Sequence, residues 1–189
     1  MTDLQNYLQS HFGIPNQKLA TVASFFKTEQ LAKDEFFLKA GQYSQRLSFV
    51  RSGLLRLYIN TERKEVTQWI TTPDYFVTDL GSLYFEQPAR CNIQALTDCE
   101  LYSIQRQDFY NLNQVVPEWE KLQKLFLAKC FMTLEERVFS FLSMTAEERF
   151  THLFQYQPEL FNLVPLHYLA SMLGMTPETL SRIRKKLTS

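Results

Sequence analysis

From about residue 35 to residue 104 the apolar residues arrive in short runs separated by turn-forming residues. The segments FFLKAG, RLSFVRSG, LLRLYIN, EVTQWITT, YFVTDLG, CNIQAL and CELYSI each fit a strand of roughly four to eight residues. Leu55, Leu57 and Ile59 alternate with Leu54, Arg56 and Tyr58, and Val66, Gln68 and Ile70 alternate with Glu65, Thr67 and Trp69. That period of two places the two alternating sets of each strand on opposite sheet faces. Gly41, Gly53 and the polar run Asn60-Thr61-Glu62-Arg63-Lys64 supply turns. Many short strands at regular spacing predict a sandwich, roll or small barrel. Ahead of them, the first 30 residues read as helical, with Leu4, Tyr7 and Leu8 on one face and Leu19, Val22, Phe25 and Phe26 on another.

The period changes near Pro117. Residues 118–143 contain no glycine or proline and predict one long helix. Between Leu125 and Leu134 only Lys129 and Thr133 are polar; they lie four apart and share one narrow face. A helix with so little polar surface needs cover on more than one side. One side can meet the β-domain, and the economical cover for the other is the same helix of a second subunit, giving a two-fold homodimer. The alternative is a helix sandwiched within one monomer. Thr145-Ala-Glu-Glu148 is a capping box that starts a further helix running to about Gln157, with Pro158 just beyond.

The segment from Val164 to Leu187 carries stop and start signals in close order. Pro165 suits a first helical turn, where its missing N–H is not required. Leu166, Leu169, Ala170 and Leu173 form an apolar face, and Gly174 stands where the helix must end. Thr176 and Pro177 then suit the N-cap and first turn of a second helix. In that helix Leu180, Ile183 and Leu187 recur at helical spacing, opposite Thr179, Arg182 and Lys186, with Ser181 and Lys185 on the flanks. Two short helices joined by a glycine-containing turn predict a helix-turn-helix, with Ala170 small enough to let the helices cross closely. An ordinary corner between two helices is the alternative.

Charge sharpens this picture. Over 189 residues, 20 basic side chains balance 20 acidic ones, so the total offers no sign of nucleic acid. The distribution does: residues 1–133 carry 14 of each sign, residues 134–159 carry five glutamates against two arginines, and Arg182, Arg184, Lys185 and Lys186 close the chain with no acid among them. A basic terminus on a neutral chain is an electrostatic footprint confined to one element. A solvated tail would look the same on charge alone. Cys91, Cys99 and Cys130 are odd in number and lack CxxC spacing, which indicates neither a disulfide frame nor a zinc site. The first residues, MTDLQNYLQSHFGIPNQ, lack the basic and apolar regions of a signal peptide, and no stretch approaches the roughly 18 apolar residues of a membrane span. A cytoplasmic protein without a membrane partner is expected. His11, His152 and His167 are scattered and read as surface or packing residues.

On these residues the chain resembles the Crp/Fnr superfamily of bacterial transcription regulators. LASMLGMTPETLSRIRKKL is similar to the family's helix-turn-helix, especially in a subgroup that ends soon after the recognition helix, and AEERF…PELFNLVP resembles the segment preceding it there. KAGQYSQRLSFVRSGLLRLY is similar to the first strands of the family's cyclic-nucleotide-binding β-roll, and TDLGSLYFEQPARCNIQALTDCELYSI to its phosphate-binding cassette and following strands. The resemblance implies an α+β fold: an N-terminal antiparallel β-roll of jelly-roll type with flanking helices over residues 1–116, a long dimerisation helix over 117–143 and an all-α DNA-binding domain over 144–189. It implies double-stranded DNA, RNA polymerase and a small-molecule effector as partners. Thr176, Glu178, Thr179, Ser181 and Arg182 would face DNA, with Arg182 reading guanine and Glu178 accepting from a cytosine amino group. Arg184, Lys185 and Lys186 would bind phosphate. The effector would lie against Asp79, Leu80, Gly81, Ser82, Arg90, Cys91 and Asn92.

Two features depart from the family's pattern. The cassette's usual glutamate is Asp79, one methylene shorter, and Ala89 stands where the arginine for the cyclic phosphate is expected, with Arg90 displaced by one position. A buried phosphate without its cation loses a charge-assisted pair, which counts against cyclic AMP as the effector. The cassette is then a relic, a structural corner or a pocket for another small molecule. The family's β-hairpin wing is also expected to be absent, with only Thr188 and Ser189 after the second helix. Oxygen sensing through an iron–sulfur cluster needs several clustered cysteines, and the first 90 residues have none. The competing function is a small-molecule-binding or protein-interaction module without DNA. An enzyme is not expected, since the sequence holds no nucleophile–base set, metal cluster or glycine-rich phosphate loop.

Overall fold

The computed structural model describes residues 2–188, except the side chains of Thr2, His11 and Thr188. The expectations for the His11 side chain and for Ser189 lie outside that range. Helices α1 (Thr2–Phe12) and α2 (Asn16–Ala23) open the chain. Eight strands follow: β1 (Lys27–Leu31), β2 (Phe36–Leu38), β3 (Arg46–Ser52), β4 (Leu55–Asn60), β5 (Glu65–Thr71), β6 (Phe76–Val77), β7 (Asn92–Ala95) and β8 (Cys99–Gln105). They form two four-stranded sheets of order β1-β8-β3-β6 and β2-β7-β4-β5, with every pairing antiparallel. Helix α3 (Leu80–Phe85) interrupts the roll, and α4 (Arg106–Asn111) closes it. The long helix α5 (Trp119–Ser143) leads to α6 (Ala146–Tyr156), α7 (Leu160–Leu163), α8 (Leu166–Met172) and α9 (Pro177–Thr188).

Alternation along the strands divides the buried residues into layers. Val50, Leu55, Val77, Ile93, Ala95 and Leu101 meet inside the roll, with Leu57 and Ile59 packed beside them. The outer face of the first sheet, through Leu47, Phe49, Tyr102 and Ile104, is covered by α1, α2, α4 and the start of α5. That layer is aromatic: Phe12 stacks on Trp119 and Phe126 at ring-centroid distances of 5.9 and 5.0 Å. The Trp119 indole N–H is satisfied by the carbonyl of Phe109 at 2.8 Å. A third layer joins Leu54 and Ile70, on the outer face of the second sheet, to Phe150, Leu160, Leu169, Leu173, Leu180 and Ile183 of the C-terminal helices. At roughly 1.5–3 kcal/mol for each fully buried large apolar side chain, this layer is the main force holding the helical end on the roll.

Four local expectations need correction. Lys27–Leu31 is a strand, not part of a helical N-terminus; only Leu31 in it is buried, so pairing to β8 and not its own pattern makes it extended. YFVTDLG is not one strand: β6 ends at Val77, because the Asp79 carboxylate accepts the Ser82 N–H at 2.7 Å and starts a helix. The alternation of β5 breaks at a bulge, where Leu57 pairs with Trp69 but Tyr58 pairs with Thr67. The extra residue puts Thr67 on the face of Ile70, so Val66, Gln68 and Ile70 do not form one set. Pro165 is the N-cap of α8 and not its first residue.

Candidate nucleic-acid interface and cassette

The C-terminal pair is held by specific contacts at its turn. Gly174 ends α8 at φ +66°, and a β-carbon there would lie 2.6 Å from the Phe141 ring, so both conformation and space call for glycine. The last carbonyls of α8 meet two guanidinium groups. Arg137 Nη2 donates to the Met172 carbonyl at 2.7 Å, and Arg149 Nε donates to that of Leu173 at 2.9 Å. Cations at a helix C-terminus oppose the negative end of its dipole. Burial pushes the Arg137 pKa down from its ordinary value. Thr145 and Glu148 form the reciprocal capping box of α6, and bonding to Thr145 holds the Glu148 carboxyl below the usual range.

Helix α9 is two-faced. Leu180 and Ile183 are buried against α8 and α6, while Thr176, Glu178, Ser181, Arg182, Arg184, Lys185 and Lys186 are exposed and Thr179 is half-buried. Thr176 Oγ1 accepts the Thr179 N–H at 3.2 Å, capping the helix. The Thr179 hydroxyl in turn receives Arg182 Nη2 at 3.4 Å, which leans that guanidinium along the helix. Glu178 is held below the usual carboxylate range by its own backbone N–H, then by the Thr176 hydroxyl, with Arg182 adding least. It is therefore an anionic acceptor at neutral pH. Lys186 also has a partner within the chain: its Nζ lies 2.8 and 2.9 Å from the two carboxylate oxygens of Glu147 at the start of α6. Sequence spacing cannot show that pair, because 39 residues separate its members.

The cassette residues Asp79, Leu80, Gly81, Ser82 and Cys91 come together around α3. Asp79 is committed on both oxygens, one to the Ser82 N–H and the other to the Cys91 thiol at 3.7 Å. Ser82 Oγ accepts the Ser44 N–H at 2.6 Å, and Asn92 Oδ1 accepts that of Ala40 at 3.0 Å. Ala89 is buried, exchanging backbone hydrogen bonds with the Gly41–Gln42 turn, whereas Arg90 is exposed. Burial first, and Asp79 second, push the Cys91 thiol up to about 11. These side chains hold the corner together. Sequence reasoning overlooked Arg46. The Thr78 hydroxyl bonds its carbonyl at 2.9 Å, so the strand pairing brings this residue beside the cassette. Its guanidinium pairs with Glu29 at 2.9 Å and lies 4.2 Å from the Phe37 ring centroid. Only the even-numbered positions of β3, which face inward with Val50, could have signalled it.

Residues 28–114 match the cyclic nucleotide-binding domain family. No curated protein matches the sequence. Among solved structures, the catabolite activator protein of Thermus thermophilus is 22% identical, with 96% of this chain and 86% of that one covered at a TM-score of 0.61. The c-di-GMP-responsive global regulator CLP of Xanthomonas campestris is 17% identical over 92% of each chain, at 0.67. A putative cAMP-binding regulatory protein of Silicibacter pomeroyi is 20% identical over 100% of this chain and 88% of that one, at 0.70. The chain therefore shares their fold from the β-roll through the long helix to the C-terminal helices. No helix among the described residues is long and apolar enough to cross a membrane.

Proposed function

We infer that this chain, with the β-roll of the cyclic nucleotide-binding domain family and the overall fold of the Crp/Fnr regulators, is a homodimeric, sequence-specific DNA-binding transcription regulator. Its units are a sensor over 1–116, a dimerisation helix over 117–143 and a helix-turn-helix domain over 144–189, in which α9 is the recognition helix. One observation carries the reading: α9 buries Leu180 and Ile183 and turns Thr176, Glu178, Ser181, Arg182, Arg184, Lys185 and Lys186 outward on the last element of the fold. Short polar and cationic groups on one exposed helix face are what a major groove accepts.

Arg182 supplies the planar fork that bonds guanine O6 and N7 together, and the anionic Glu178 accepts from a cytosine amino group. Thr176, Thr179 and Ser181 stand beside them, and Arg184, Lys185 and Lys186 meet phosphate. Two recognition helices related by the dimer axis read half-sites about one helical turn apart. The effector is a small molecule held in the roll near Asp79, Leu80, Gly81, Ser82, Arg90, Cys91 and Asn92. Commitment of both Asp79 oxygens within the corner and the apolar Ala89 speak against a cyclic phosphate in the usual pose. By the same likeness, RNA polymerase is a partner.

Selection from a random DNA pool, with and without cyclic nucleotides, tests the reading. Enrichment of a two-fold symmetric site supports it, and Arg182→Ala should weaken binding to that site about tenfold to a hundredfold, with guanine preference relaxed at one position. Failure to enrich any sequence would leave a small-molecule or protein-interaction module.

A further inference from the structure

Helix α8 is seated on the sensor through a buried arginine. Arg56, on the outer face of β4, is only 2% exposed. Its guanidinium lies 4.1 Å from the Tyr58 ring centroid and 3.6 Å from that of Tyr168 on α8. Its Nε donates to the Thr67 hydroxyl at 2.9 Å, and Nη1 to the Glu65 carboxylate at 2.7 Å. Beside this stack the backbone N–H of Thr67 donates to Ser171 Oγ, also on α8, at 2.9 Å. Arg137 adds a third tie, reaching from α5 to the Met172 carbonyl while lying 5.1 Å from the Trp69 ring centroid on β5. The β4–β5 hairpin thus holds α8 by a cation sandwiched between two rings, a hydrogen bond and the apolar layer of Leu54 and Ile70.

We propose that the Arg56–Tyr168 stack is a positioning contact that fixes the pose of the recognition helix, making β4–β5 a route from sensor to DNA-binding unit separate from α5. A guanidinium buried in this way is costly unless all its partners stay in place. Lifting α8 removes one ring and opens Arg56, Leu54 and Ile70 to water together, so the contact is made or lost as a unit. The same strand reaches the roll interior one residue away: Leu55, Leu57 and Ile59 face inward. A ligand that displaces Leu57 displaces Arg56, and α9 follows because Leu180 and Ile183 pack with α8 in one layer. The consequence for DNA rests on the function proposed above, whereas the contact itself does not.

The test uses the full chain with Arg56→Met, Tyr168→Leu and the double substitution. Hydrogen exchange of Leu166–Met172 should quicken about tenfold in each single variant, with the double variant no faster than the more affected single. Unchanged exchange in Tyr168→Leu, or effects that multiply in the double, would overturn the contact. Should Arg56→Met fail to fold, Tyr168→Leu tests it alone, since Tyr168 belongs to α8 and not to the roll. On the selected DNA site, the variants should lose affinity at least about fivefold and relax the preferred half-site spacing. Quickened exchange with unaltered affinity and spacing would sink the positioning role. A wild-type protein that binds no DNA would sink the regulator reading and leave the exchange result standing.

Discussion

Lys186 sits between two partners, because the phosphate it would meet on DNA competes with the carboxylate it already holds. Glu147 occupies it at 2.8 Å in the free protein, with both side chains largely open to solvent. Exposed ion pairs of this kind are weak and screened by salt, so the pair delays no binding that phosphate favours. The carboxylate still repels the backbone once DNA is seated. Glu147→Gln should therefore tighten DNA binding, by about two- to fivefold near 0.1 M salt, and the gain should shrink as salt rises. Unchanged or weakened affinity in the variant, measured by titration at two salt concentrations, would show that Lys186 does not approach phosphate. Residues of this kind were half legible in sequence. The outward position of Lys186 follows from its spacing to Leu180 and Ile183, whereas its partner depends on where α6 packs. Arg56 was visible as a charge at an alternating strand position, but its burial was not, because the ring that covers it comes from α8, 112 residues later.

Among the elements, α5 changes character along its length. Trp119, Leu122 and Phe126 are buried against the roll, whereas Phe131, Met132, Leu134, Val138, Phe139 and Leu142 are exposed in the single chain. Phe131, Val138, Phe139 and Leu142 group on the side of the helix opposite Trp119 and Phe126. Phe139 is 65% and Leu142 82% exposed, part of an apolar face of a kind that soluble monomers rarely leave in water. A second copy of the same face is the cover that the proposed two-fold dimer would supply. Phe139→Glu places a charge on that face, where its desolvation opposes pairing. Sedimentation equilibrium should find the variant monomeric at concentrations where the parent is a dimer, with helix content unchanged. A dimer that survives the substitution would put the interface elsewhere. The helix itself was readable from its composition, and α6 and the C-terminal pair from their caps, since caps are local chemistry. β1 was not readable, because a strand that buries only Leu31 takes its conformation from its neighbour and leaves no period of its own.

At the scale of the whole molecule, the aromatic and thiol content ties the fold to alkaline pH. Burial pushes the Cys91 thiol up to about 11 and the Tyr7 and Tyr84 phenols up to about 12. It also raises Cys99, Cys130 and Tyr58 above their ordinary values. Each of these acids keeps its proton in the folded state past the pH at which the unfolded chain would release it. Between the ordinary thiol value of 9.0 and about 12 the native state thus binds more protons than the unfolded state. Stability is fully present below pH 9 and falls as pH rises through that window, by up to about 1.4 kcal/mol per pH unit for each group engaged. The groups span the layers of the roll: Cys91 and Cys99 inside it, Tyr7 and Tyr84 with Cys130 under the helices. The loss should therefore be cooperative and global, without a separate transition for one layer. Urea midpoints measured from pH 7 to pH 11 should stay level up to about pH 9 and then decline. Cys91→Ala should make the decline shallower between pH 9 and 11, whatever it does to the stability at neutral pH, because one proton has left the linkage. An identical slope in the variant would mean that the thiol ionises freely in the fold. That result would remove the buried Asp79–Cys91 contact as an argument against a phosphate in the cassette.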